Sequence, residues 1–273
     1  MGKHFHEELV DAQLDTAPGS ARVGRSPLRA LYEWLVLVGG FLYIAAYGLT
    51  LTLASLVLGR ILSRTAQRPL GRRIIHNMFR GLTAYMRASG IVRLDLSALD
   101  TLADAEPLVL APNHPSLLDA TLVVSRLVNV VCVMKADVHR NPVLGGGARL
   151  AGYIDNATMP RMIRGAAAAL GEGRMVLMFP EGTRTVSAPI NPLKASFALV
   201  AKQARVPVQT ILFETNSPFL SKGWPIFKRP QFQLVYRARL GRRFVVDGDP
   251  RATVAEIDAY FRRELAAPGR NRI

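Results

Sequence analysis

One cysteine, six lysines and no charged side chain between Leu35 and Gly59 are the scarcities that most constrain this 273-residue chain. A lone Cys132 excludes an internal disulfide and any cysteine-rich metal cluster, and its setting in Val130-Val-Cys-Val133 reads as core. Positive charge is carried by 29 arginines instead of lysine, for a net charge of +15. Such an excess needs an anionic partner: lipid headgroups, a phosphorylated substrate, an acidic carrier protein or nucleic acid. There is no basic strand studded with aromatics, the pattern that grips single-stranded nucleic acid, so no nucleic-acid partner is expected. No cleavable leader is expected either, because the first long apolar segment follows about thirty mixed residues. His4 and His6 alternate in that opening tail, but two histidines make a poor ligand set and no metal is expected. Repeats and low-complexity tracts are absent.

The charge-free stretch from Leu35 to Gly59 has 25 residues, enough to cross a bilayer, which takes about 20. Gly39-Gly40 can instead break it into a helical hairpin that dips into one leaflet. Arg60, Arg64, Arg68, Arg72 and Arg73 follow at once, with Arg80 and Arg87 behind them. This flank assigns the region beyond it to the cytoplasmic face. A buried soluble helix and a solvated basic face are the plain alternatives.

Beyond Ser89-Gly90 short apolar runs alternate with helix-like stretches. Strands are expected over 91–96, 108–111, 128–134, 152–155, 174–179, 206–213 and 231–240, the last with Phe232, Leu234, Tyr236, Ala238 and Leu240 on one face. Helices are expected over 117–127, from Pro160 to Gly171, from an Asn191 cap to about Gln203, and from a Thr253-Val-Ala-Glu256 capping box onward. Alternation of this kind predicts an α/β domain, a mixed and largely parallel sheet flanked by helices, preceded by a membrane helix or hairpin. The expected divisions are a tail at 1–26, a membrane-anchoring helical region at 27–85 and the α/β domain at 86–273.

Two strand ends carry the chemistry. Ala111-Pro-Asn-His-Pro-Ser-Leu-Leu-Asp119 sets a histidine on a strand-to-helix turn, five residues before an aspartate. Five residues turn an ideal helix by about 500°, so the two side chains meet only if His114 precedes the helix. A carboxylate on one ring nitrogen would leave the other free as a base. Phe179-Pro-Glu-Gly-Thr-Arg-Thr185 follows a second apolar strand, and loops at the same end of one sheet can share a pocket.

Asn113-His-Pro-Ser-Leu-Leu-Asp119 resembles the His-x4-Asp block of the glycerolipid (lysophosphatidic acid) acyltransferase family, and Phe179-Pro-Glu-Gly-Thr-Arg184 its second signature. Val206-Pro-Val208 is similar to the family's later Val/Ile-Pro block, so the resemblance spans roughly residues 108–213. It implies transfer of a fatty acyl group from coenzyme A or acyl carrier protein to a hydroxyl, with no bound cofactor. On that reading His114 is the general base and Asp119 orients it, while Glu181, Gly182, Thr183 and Arg184 line the acceptor side. Arginine suits this place because its planar fork of donors matches phosphate oxygens. Lys194 stands where the family often has a basic residue. Ser116 and Cys132 are weak candidates for a nucleophile, and no covalent acyl-enzyme is implied.

One departure bears on substrate. Members acting on a phosphorylated glycerol typically carry an Arg where Gly152-Tyr-Ile-Asp-Asn156 has Asn156, which hydrogen-bonds without charge. Arg161 and Arg164 lie on the next expected helix and can compensate. The expectation is therefore a membrane-bound O-acyltransferase acting on a lysophospholipid-like acceptor, with membrane lipids and the acyl donor as its partners. The alternatives are the same chemistry on a different acceptor, or a catalytically decayed basic membrane or nucleic-acid binding module.

Overall fold

The computed structural model describes residues 26–266; most of the expected tail, with His4 and His6, lies outside them. Helix α1 (Pro27–Ile61) opens on a Pro at its first turn, where no backbone N–H is needed. It runs unbroken through Gly39 and Gly40, so of the two shapes the sequence left open there it takes the continuous helix. These glycines serve close approach: a Cβ on Gly39 would lie 2.5 Å from the Tyr85 hydroxyl. The hairpin forms instead at Leu62-Ser63, after which α2 (Arg64–Ala88) returns along α1. Hydroxyls stitch the two: Tyr32 donates to Ser89 O at 2.7 Å, Tyr43 to Met78 O at 3.0 Å, and Tyr85 to Val36 O at 2.9 Å. The outer side of α1 stays bare, with Leu28, Leu35, Leu42, Leu49 and Leu53 all exposed.

The sheet comprises β1 (Val92–Asp95), β2 (Val109–Pro112), β3 (Val130–Met134), β4 (Ile154–Asp155), β5 (Met175–Leu177), β6 (Val208–Thr215) and β7 (Leu234–Phe244), in the order β1-β7-β6-β2-β5-β3-β4. From β6 to β4 every neighbour is parallel, whereas β7 runs antiparallel to β6 and parallel to β1. This is the mixed, largely parallel sheet expected. Its connecting helices include α3 (Ser97–Asp100), α4 (Asp119–Arg126), α5 (Ala136–Arg140), α6 (Gly145–Ala151), α7 (Met159–Gly171), α8 (Ser196–Ala204) and α9 (Pro250–Ala266). The strands β2 and β5 are buried throughout, as apolar runs in a two-sided parallel sheet must be. The α1–α2 hairpin packs on α4 and α6, and α8 packs on α7 and α9. One parallel edge thus carries the turns after β2, β3, β4, β5 and β6 together.

Two helix starts differ from expectation. Asn191-Pro192 heads no helix, since α8 begins at Ser196 and the Asn191 side chain is drawn into loop contacts instead. The last helix begins at Pro250 rather than at a Thr253 cap, because Asp249 already offers the cap and its carboxylate accepts from Arg251 N at 3.0 Å.

The hairpin is seated on the α/β domain by small residues. A Cβ on Gly71 would stand 2.5 Å from Ala151 N and Leu150 C, backbone atoms that cannot rotate away. Gly71→Val is therefore expected to cost about 1–3 kcal/mol, as overpacking does. A depressed Tm would show it, and an unchanged melt would mean that α2 separates freely from α6.

Candidate active site

Pro112 ends β2, and the chain then turns sharply through Asn113-His-Pro-Ser before α4 begins at Asp119. Asn113 makes that turn rigid by clamping β6, accepting from Phe213 N at 2.7 Å and donating to Phe213 O at 3.0 Å. His114 therefore lies ahead of the helix, and its Nδ1 meets Asp119 Oδ2 at 2.8 Å. Ser116 N donates to the same oxygen at 2.8 Å. With two donors fixed on Oδ2, the proton of the shared bond belongs on Nδ1, and Nε2 is the basic atom.

Asp119 is fully buried, and its second oxygen, Oδ1, has no hydrogen-bond partner among the described residues. Burial pushes its carboxyl from 3.8 up to about 6, against the opposing pull of His114 and of Ser116 N. The carboxylate is thus costly to ionise, and the imidazole is what holds it charged.

The second loop grips the first by its backbone. Glu181 Oε1 accepts from His114 N at 2.8 Å and from the Thr185 hydroxyl at 2.8 Å, and Oε2 accepts from Asn191 N at 2.9 Å. Thr185 N donates to His114 O at 2.7 Å. Phe179 completes the clamp, stacking on the imidazole with centroids 3.7 Å apart and planes 20° from parallel. Glu181 is buried in these bonds and faces His114's main chain rather than the cavity.

A cavity of about 430 Å³ opens beside His114. Its inner wall is apolar and buried, built from Leu51 of α1, Ile75 and Met78 of α2, Tyr153 and Met162. Its outer lining includes the exposed amines of Lys135, Lys194 and Lys222. Gly182, Thr183, Arg184 and Asn156 line it as well. Gly182 has φ +66°, and a Cβ there would lie 2.7 Å from Lys194 Nζ, so only glycine lets that amine approach. Arg184 donates through Nη1 to Leu220 O at 2.9 Å and Ser221 O at 2.8 Å. Asn156 is partly committed elsewhere, accepting from Ala136 N at 3.2 Å.

The eight candidate site residues thus gather at one sheet edge, six of them lining the cavity and Asp119 and Glu181 buried behind His114. Sequence reasoning missed three contributors. Asn113 was read only as the head of its motif, Asn191 as a helix cap and Phe179 as a strand end. Ser116 and Cys132 are poor nucleophiles in place. The Ser116 hydroxyl is buried and donates to Phe219 O at 3.0 Å, and burial pushes the Cys132 thiol up to about 12. Among the described residues no group of three His, Cys, Asp or Glu side chains is placed to hold a metal ion.

Comparison with known proteins bears on what such an arrangement does. A family model described as acyltransferase matches residues 93–214. The chain is 26% identical over 200 residues to a putative 1-acyl-sn-glycerol-3-phosphate acyltransferase of Caenorhabditis elegans, covering 70% of this chain and 74% of that one. It is 33% identical over 103 residues to a lyso-ornithine lipid O-acyltransferase of Rhizobium meliloti (strain 1021), covering 36% of this chain and 35% of that one. The crystal structure of the 1-acyl-sn-glycerophosphate (LPA) acyltransferase of Thermotoga maritima shares the fold, with a TM-score of 0.63 at 17% identity over 88% of this chain and 95% of that one.

Proposed function

We propose that this chain, which an acyltransferase family model matches over residues 93–214, is a membrane-bound O-acyltransferase of the glycerolipid acyltransferase type that uses His114 as general base. The donor is an acyl-CoA or acyl-ACP thioester, and the acceptor is the hydroxyl of a lysophospholipid-like molecule. The observation that carries this reading is the His114–Asp119 pair, held by two loops at the rim of an apolar cavity with cations at its mouth.

In the reaction His114 Nε2 takes the acceptor's hydroxyl proton as the oxygen attacks the thioester carbonyl. The C–S bond then breaks, and the departing sulfur receives that proton from Nε2. Asp119 holds the ring's tautomer and offsets the charge of the imidazolium that forms in between. The acyl chain lies along the apolar wall, while Arg184, Lys194 and the other amines hold anionic parts of the acceptor or donor. Glu181 acts through His114, fixing its main chain, and touches neither substrate.

The α1–α2 hairpin supplies the membrane anchor. The α/β domain touches α1 at Ala30 and Glu33, through Arg229, and again at Thr52, whose hydroxyl donates to Val143 O at 3.2 Å. These contacts are about 33 Å apart along the helix, the thickness of a bilayer core, so α1 lies along one leaflet rather than crossing it. The arginine-rich α2 suits the anionic cytoplasmic leaflet.

A second acceptor has a specific observation in its favour. Asn156 contributes no charge where a glycerol-phosphate acyltransferase is expected to have Arg, and one relative acts on a lyso-ornithine lipid. Purified protein given labelled acyl-CoA or acyl-ACP with either a 1-acylglycerol 3-phosphate or a lyso-ornithine lipid is expected to acylate one strongly over the other. Transfer to neither, with a folded protein, would overturn the proposed acceptor class.

A further inference from the structure

The segment 216–233, which leaves the end of β6 and returns as β7, is spoken for along one side and bare along the other. Its inner side joins the site. Ser116 Oγ donates to Phe219 O, Leu117 N donates to Leu220 O at 3.0 Å, and the carbonyls of Leu220 and Ser221 hold Arg184. Its far end joins the hairpin. Arg229 meets the buried Glu33 carboxylate at 3.1 Å, and the Phe227 ring packs edge-on against Phe41 with centroids 6.5 Å apart. Between these holds, Ile226 and Phe227 turn outward, 55% and 76% exposed. Lys222 and Lys228 flank them, and Lys228 Nζ lies 5.2 Å from the Trp224 ring.

Two large apolar side chains at a loop tip flanked by amines are costly to hold in water, and they match the boundary between acyl chains and anionic headgroups. The tip is also continuous with α1 through Phe41, so it lies beside the hairpin's bare apolar surface. We infer that the tip at 224–228 is a second membrane-inserting element of this chain, entering an anionic leaflet beside α1; this rests on the membrane-bound reading above. The same loop holds Arg184 and lends Lys222 to the cavity lining, so its insertion sets the cavity mouth against the headgroup layer, where a lipid acceptor arrives.

Single-tryptophan proteins test this with vesicles of brominated phosphatidylcholine and phosphatidylglycerol. The chain has two tryptophans, Trp34 on the exposed side of α1 and Trp224 in the loop. Three full-length versions are needed: one keeping only Trp34 (Trp224→Phe), one with both replaced by Phe and Phe227→Trp added, and one with Val245→Trp added instead. Val245 is 64% exposed and follows Phe244, which pairs with Val208 at the opposite sheet edge, about 25 Å from the loop. Quenching by bromine is expected at positions 34 and 227 and not at 245. Quenching at 34 without quenching at 227 would overturn the inference and leave the membrane anchor standing. No quenching at any position would overturn both. Ile226→Ser with Phe227→Ser is further expected to weaken vesicle binding about tenfold or more, since each lost side chain removes apolar contact with the leaflet. Unchanged binding would count against insertion.

Discussion

His114→Ala protein is expected to fold, as judged by circular dichroism, and to transfer acyl groups about 10²–10⁴-fold more slowly than the native chain, the usual worth of a positioned base. The loss is expected in kcat with little change in KM, because the proton moves only in the transition state. Geometry supports retention of the fold. The loops around His114 are held through its main chain, by Glu181 on its N–H and Thr185 on its C=O, and those bonds survive loss of the ring. Asp119 keeps the Ser116 N–H and loses the imidazole, but burial already favours its neutral form, so it answers by taking up a proton. Near-normal transfer by a folded His114→Ala protein would remove the base from the mechanism.

Much of this site was legible because two strand ends display it. Pro107 to Ala111 and Arg174 to Phe179 are apolar runs of strand length, and the polar residues after each can only lie on turns. In a parallel sheet the turns that follow neighbouring strands share an edge, so the pairing of β2 with β5 brings His114 and Phe179 into contact. Glu181 was legible as a site residue but not in its orientation. A carboxylate in a loop can face a cavity or a backbone N–H with the same sequence around it, and here three donors captured it. The hairpin was legible in composition, while the place of its turn was not. Paired glycines lower helix propensity by about 1 kcal/mol each, yet tertiary contact with Tyr85 outweighs that, and the chain reverses only at Leu62-Ser63. The loop gave no periodic signal over 216–230, and its last residues, 231–233, were read as the start of a strand that begins only at Leu234. Its importance comes from contacts with α1 and the site more than thirty residues away in sequence, such as Arg184 on Leu220 and Arg229 on Glu33.

Asp119→Asn separates the two tasks of the carboxylate, and the hydrogen bonds dictate how. Ser116 N–H points at Oδ2 from 2.8 Å, so an amide at this position must turn its oxygen, not its NH2, toward Ser116 and His114. The tautomer with the proton on Nδ1 is thereby kept, and what disappears is the negative charge that balances an imidazolium. Activity is expected to fall by about 10–10³-fold, less than in His114→Ala, because the base itself remains. Stability should move the other way with pH. The native carboxyl has its pKa raised to about 6 from 3.8, so its favourable contribution is complete below about pH 4 and is lost as pH rises through 6. That interval corresponds to about 3 kcal/mol. The amide does not titrate, and its NH2 lies where Oδ1 has no partner among the described residues, which lowers the variant's stability by a constant amount at every pH. The difference in unfolding free energy between Asp119→Asn and the native protein is therefore expected to shift in the variant's favour between pH 4 and pH 7, whatever its absolute sign. Urea titrations at those two pH values measure it. A difference independent of pH would mean that Asp119 ionises at no unusual cost, its hydrogen-bond partners offsetting its burial in full.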